Sequence, residues 1–338
     1  MTGIEAILDF DTGGRPTSDR KWCRMSLVKI AECLGDRFGI RVSATTVGRL
    51  LEDLDYSLKA NRKCLSSGSS PHRDVQFGII RGLREQFAAA GDPIISVDTK
   101  KKELIGPFKN AGRRWCRTAP QVNDHDFRSE ALAIASPYGI YDVLRNCGML
   151  VVGTSADTPE FAVNAIDTWW QRDGSKHYPH ARRLLLLADS GGSNGASPRA
   201  FKRFLQEKIA DAHGLTVTVA HYPSGASKWN PIEHRMFSEI TKTWAGHPLE
   251  SLDVLLRFAR DTTTTTGLRV TACLDERQYQ KGLRVTDKEL RSLDITRRDQ
   301  LGKWNYQIAP RVAPEALIPT AHGTSRCSRQ PRPSAAKV

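Results

Sequence analysis

The sequence predicts an α/β fold: a mixed sheet flanked by helices, preceded by a small helical domain. Three observations carry that reading. From Pro93 to Trp244, short apolar runs of strand length alternate with amphipathic segments of helical period. Ahead of them, residues 25–54 hold two helical patterns separated by Gly39. Hydrophobic residues make up 39% of the 338 and charged ones 26%, the balance of an ordinary folded chain with room for about two domains.

Residues 1–20 are polar and turn-rich and read as a loose lead-in. Over 25–38, Leu27, Ile30, Ala31 and Leu34 fall on one helix face. A second helix follows, with Ser43 as N-cap and Val47, Leu50, Leu51 and Leu54 as its apolar stripe. Two helices joined by a short turn resemble a helix-turn-helix over 21–63, in which the second helix enters the major groove. Ser43, Thr45, Thr46 and Arg49 would then face DNA, with the basic "KANRK" at 59–63 beside them; any helical hairpin is the competing reading. Residues 64–92 form a linker of small polar composition and a helix at about 74–90.

The strand run "PIISVDT" (93–99) ends in Asp98, and residues 100–135 read as a long basic loop. A hairpin at 138–155 turns around Arg145–Cys147, and a helix over 158–174 is capped by Thr158. The buried strand "RRLLLLADS" ends in Asp189, a helix runs over 197–214, and "LTVTVAHYP" is a further strand. The next helix opens at Pro231. Asn230 is its expected cap and Glu233 stands where a capping box takes Glu, ahead of an apolar face of Ile232, Met236, Phe237, Ile240 and Trp244. The α/β region closes at about 308, and the Pro-, Ser- and Arg-rich residues 309–338 read as a disordered tail.

Lys and Arg total 50 against 37 Asp and Glu, a net charge of +13. Such an excess favours a polyanionic partner and points to nucleic acid. Seven scattered cysteines never form C-x-x-C and no H-E-x-x-H occurs, which argues against a structural zinc site. No apolar run reaches membrane-spanning length and no signal-peptide pattern is visible, so no membrane partner and a cytoplasmic location are expected. "SGGSNG" at 190–195 lacks the spacing of nucleotide-binding loops, and no G-x-S-x-G elbow occurs. No nucleotide cofactor is therefore expected.

Asp98 and Asp189 each end an apolar strand, and Glu233 opens a helix that follows one. Carboxyl ends of strands are where ligands gather in open α/β sheets. Carboxylates there are costly to desolvate unless a partner compensates. Three of them supply the hard oxygen ligands that Mg²⁺ or Mn²⁺ takes, and two such ions serve phosphoryl transfer. For each acid separately, a turn or cap role is the plain alternative. Nearby, Lys100, Lys101, Lys102 and Lys228 are candidate phosphate contacts. Trp229 is a candidate base-stacking residue, although a core role is the commoner one for Trp. Asn194, Asn230 and His234 are candidate supporting groups.

The blocks "PIISVDTKKKELIGPFKNAGRRW", "PYGIYD", "DTPEFAVNAIDTWW", "LLLADSGGSNG", "SKWNPIEHRMFSEITKTW" and "GKWNY" occur in that order. Together they resemble the bacterial insertion-sequence transposases with a Rhodopirellula-type DDE domain, a family distantly similar to mariner-like transposases. The similarity spans roughly residues 10–308. It implies a ribonuclease-H-like core over 93–308 whose acidic triad falls on Asp98, Asp189 and Glu233. It also implies hydrolysis of a phosphodiester at the element ends, followed by strand transfer to target DNA. Element terminal repeats, target DNA and a second copy of the chain become the implied partners, and a nucleoid-associated location follows. Relatives carry further chain ahead of this region, including another helix-turn-helix, so the resemblance implies either a truncated copy or a mis-started reading frame. Two rival functions are a DNA-binding remnant without catalysis and a ribonuclease-H-like nuclease that never joins strands.

Overall fold

The computed structural model describes residues 3–10, 13–14, 21–22, 25–57 and 71–311. The chain divides into two compact units, Met1–Leu65 and Ser66–Val338. The "KANRK" run, most of the expected linker and residues 312–338 lie outside the described residues.

In the first unit, α1 (Gly3–Phe10), α2 (Leu27–Phe38) and α3 (Ala44–Asp53) share a core of Ile4, Ile7, Leu8, Ile30, Leu34 and Val47. The expected loose lead-in is thus corrected over Gly3–Phe10, which is helical and packed. A helix of only eight residues gains its stability from this packing rather than from propensity. The Ser26 and Ser43 hydroxyls cap α2 and α3 by accepting from the backbone N–H of Lys29 and Thr46. Gly39 ends α2 in the left-handed region at φ 68°. Leu50 departs from the expected apolar stripe and is exposed.

The second unit opens with α4 (Arg73–Ala90), which packs on the sheet. The described residues form a nine-stranded sheet. Its members are β1 (Ile94–Thr99), β2 (Glu103–Ile105), β3 (Ala133–Asp142), β4 (Cys147–Gly153), β5 (Arg183–Ala188), β6 (Thr216–His221), β7 (Arg269–Asp275), β8 (Ile295–Arg297) and β9 (Asn305–Ile308). Their order is β8-β9-β6-β5-β1-β3-β4-β7, with the short β2 paired to β3 off this path. β2 and the early start of β3 correct the reading of 100–135 as wholly irregular. The central strands β4-β3-β1-β5-β6 have only β3 antiparallel, the ribonuclease-H-like arrangement.

Both faces of this sheet are covered, which is why Leu184–Ala188 of β5 is apolar throughout. Leu184 and Leu186 point into a core with α5 (Pro159–Trp169) and α6 (Arg199–Leu205), each of which continues through a π-helical turn. Leu185 and Leu187 face α4 residues Ile80, Leu83 and Phe87. Farther along the sheet, α7 (Ser238–Thr243) and the π-helical turn Glu233–Phe237 ahead of it pack with α8 (Leu252–Arg260) on β3, β4 and β7.

Candidate active site

β1 and β5 are parallel neighbours, so their carboxyl ends emerge side by side. Asp98 stands one residue from the end of β1, and Asp189 directly follows β5. Glu233 enters from the segment leading into α7. Gly139, the β3 partner of Asp98, lets that segment settle on the sheet: a Cβ there would overlap Phe237 and Ile232.

The expected capping box is absent. Ile232 N–H is accepted by the Ser96 hydroxyl of β1 at 3.1 Å, so the cap comes from the sheet. Ser96 in turn donates to the Asn230 side-chain oxygen. The Asn230 amide turns inward, donating to the Val97 carbonyl and to Asp189 Oδ1, each at 3.3 Å. Asn194 donates to the same Val97 carbonyl at 3.4 Å. Ser96 and Asn230 are both fully buried. One polar knot therefore ties the strand bearing Asp98, the loop after Asp189 and the turn bearing Glu233. Behind Asp189, buried His221 donates from Nδ1 to the Asp189 carbonyl at 2.9 Å, and its Nε2 accepts from Tyr306. Burial lowers the His221 pKa to about 4 and keeps the ring neutral. Lys202, also buried, donates to the Ala196 carbonyl at 2.6 Å and braces the glycine-rich loop.

The three carboxyls titrate as neighbours. Burial and Asp189 push Asp98 up to about 8, against the Thr99 N–H that donates to its Oδ1 at 2.8 Å. Burial and Glu233 push Asp189 up to about 6, with the Asn230 amide opposing. Burial raises Glu233 too, tempered by the charges of His234 and Lys100. Asp157, overlooked in the sequence, accepts from the Thr99 hydroxyl at 3.5 Å and adds to the charge on Asp98. The Tyr138 hydroxyl is buried without a hydrogen-bond partner, within electrostatic reach of Asp98 and Asp157.

Among the described residues, no group of three or more His, Cys, Asp or Glu is preset at cation-binding spacing. The residues nonetheless suit a hard cation: the donors are carboxylate oxygens, their mutual repulsion raises Asp98 and Asp189 despite the groups that oppose it, and a partnerless hydroxyl lies beside them.

The remaining candidates divide. Lys100 is committed to Glu103 at 2.6 Å and to the Trp244 ring at 4.5 Å, so it steadies the site rather than standing free. Lys101, Lys102 and Lys228 are exposed. Trp229 is 53% exposed, which corrects the core reading. His234 is exposed and donates to the Lys228 carbonyl. In the first unit, Ser43 and Thr46 hydroxyls pair at 2.9 Å, while Thr45 and Arg49 are exposed.

Of the groups missed in the sequence, His221 and Ser96 were visible as polar residues inside apolar strand runs. Asp157 was masked by the Thr158 cap beside it, and Tyr138 by its aromatic strand character.

No curated protein matches the chain. Solved structures similar to it include a Mos1 transposase paired-end complex with the left transposon end, at 14% identity and TM-score 0.43 over 76% of this chain and 69% of that one. A Mos1 mariner paired-end complex with Mn matches at 14% and 0.41 over 76% and 69%. The Mos1 strand transfer complex matches at 14% and 0.42 over 75% and 67%. A family model, the Rhodopirellula transposase DDE domain, matches residues 3–310. With the match running over nearly the whole chain, this protein belongs to the Rhodopirellula-type DDE transposase family.

Proposed function

We propose that Asp98, Asp189 and Glu233 are the catalytic triad of a metal-dependent DNA transposase acting on phosphodiesters at element ends and in target DNA. The observation that carries the reading is the convergence of three partly buried carboxyls, each with a raised pKa, at the ends of β1 and β5 and the entry to α7. Family membership supplies the substrate class.

The three side chains would hold Mg²⁺ or Mn²⁺, two ions being the number that suits the chemistry. When bound, such cations activate an attacking oxygen and stabilise a leaving oxygen. The Thr99 N–H fixes one Asp98 oxygen and the Asn230 amide fixes one Asp189 oxygen, so two ligands are oriented in advance. Water first opens a phosphodiester at the element end and frees a 3′-hydroxyl. That hydroxyl then attacks a target phosphodiester. One phosphodiester is exchanged for another in the second step, so no nucleotide is consumed.

Exposed Lys101, Lys102 and Lys228 contact phosphates in this reading, and the first unit reads DNA through Thr45 and Arg49. Ser43 and Thr46 serve α3 as its cap. Two ends are paired by two copies of the chain. The test is cleavage of end-labelled element DNA by the full chain. D98N is expected to lose at least about a thousandfold in rate, with binding nearly unchanged. Retained cleavage would remove the assignment. Cleavage without joined product would favour the nuclease reading.

A further inference from the structure

Along α4 lies a cavity of about 780 Å³, within the roughly 300–1,000 Å³ of small-ligand pockets, with Ile94, Val143 and Leu144 at one end and Tyr222 and Trp229 at the other. Its walls include Arg73, Phe77, Arg81 and Arg84 of α4, together with Tyr222 and Trp229. The α4 residues follow one another at helical spacing, so they form a single stripe. Phe77 stands 6.2 Å from the Tyr222 ring and 6.0 Å from the Trp229 ring, the latter in a T-shaped contact. This contact fixes the Trp229 ring while 53% of the residue stays exposed. Lys228 Nζ lies 5.4 Å from the Trp229 ring centroid. Arg81 and Arg84 are exposed and form no salt bridge among the described residues. Basic groups outnumber the two acids, Asp74 and Glu85, on the same walls.

The Tyr222 and Trp229 end of the cavity adjoins the groups that hold Asp189. Trp229 adjoins Asn230, whose amide donates to Asp189. The Tyr222 hydroxyl lies within electrostatic reach of both Arg84 and Asp189.

We propose that this cavity is a subsite for one unpaired nucleotide of the DNA strand at the carboxylates, with its base against Trp229 and its phosphates toward Arg81, Arg84 and Lys228. The chemistry favours an unpaired nucleotide over duplex. A base within a duplex has both faces covered by its neighbours, whereas an unpaired base presents a face to an aromatic ring. Cations around the rings suit the flanking phosphates. The inference rests on the transposase reading for its ligand, and deepens it by naming a strand feature that the site selects.

The test uses the full chain in buffer with chelator, so that no cleavage intervenes. Two duplexes of identical sequence are compared by anisotropy, one blunt and one with a two-nucleotide unpaired extension carrying 2-aminopurine. The wild type should prefer the extended duplex by at least about fivefold and change the 2-aminopurine emission. W229A should lose both effects, and W229F should keep part of them. R81A/R84A should weaken both duplexes and flatten the salt dependence. Equal affinity of the wild type for the two duplexes would overturn the subsite. So would a W229A protein that keeps the preference, or one whose only change is in oligomeric state. D98N should keep the preference in full, so loss of the triad assignment and loss of the subsite are read by separate experiments.

Discussion

At Asp98, burial and the negative charge of Asp189 act together to hold a proton that an exposed carboxyl would release. Its folded pKa of about 8 lies above the ordinary value of 3.8 that it regains on unfolding. The folded state therefore binds the proton more tightly, and stability in metal-free buffer falls as pH rises from about 4 to about 8. Removing the carboxylate removes that penalty. D98N should melt above the wild type at pH 8, by roughly 2–6 °C, and the two curves should meet near pH 4. Adding Mn²⁺ at pH 8 should raise the wild-type midpoint and leave D98N nearly unmoved. Glu233 has no capping role to lose, because Ser96 supplies the cap. E233Q should accordingly fold normally while cleavage is lost.

α7 and its entry turn show what local sequence can and cannot determine. The helix and its apolar face were legible from Ile232, Met236, Phe237, Ile240 and Trp244, all buried. The cap was misread, because Asn-x-x-Glu fits a capping box equally well and the deciding partner, Ser96, lies 134 residues away from Asn230. The two strand-end acids were legible for a related reason: an acid closing an apolar run is conspicuous without any partner in view. Asp157 and Tyr138 acquire meaning only through cross-sheet neighbours. S96A should cost about 1 kcal/mol for the cap, and more for the stranded Asn230 oxygen. N230A should cost about 1–3 kcal/mol and slow cleavage at least about tenfold by releasing Asp189. G139A should force α7 outward; chemical denaturation and cleavage assays should both register the shift. A G139A protein with wild-type cleavage would show that close seating of α7 is dispensable.

For the whole molecule, composition was informative about partners, and pattern about fold class. The full sequence carries a net charge of +13, and strands alternate with helices across the described residues. The first helix escaped notice because its eight residues sit among polar, turn-rich neighbours, and only its packing against α2 reveals it. α4 was expected as a helix at about 74–90, but its packing against the sheet could not be read from the sequence around it. A chain this basic that grips four DNA phosphates should lose roughly a hundredfold in affinity for duplex DNA between 50 and 200 mM salt. Filter binding across a salt series checks that slope, and a flat response would contradict phosphate-led binding. The central claim is that Asp98, Asp189 and Glu233 together form a divalent-cation site, and its most direct measurement is Mn²⁺ binding by electron paramagnetic resonance on the full chain bound to an element-end duplex. The wild type should bind Mn²⁺ with release of a proton near pH 7, and D98N, D189N and E233Q should each weaken binding at least about tenfold; equal Mn²⁺ affinity in the wild type and all three variants would contradict the account.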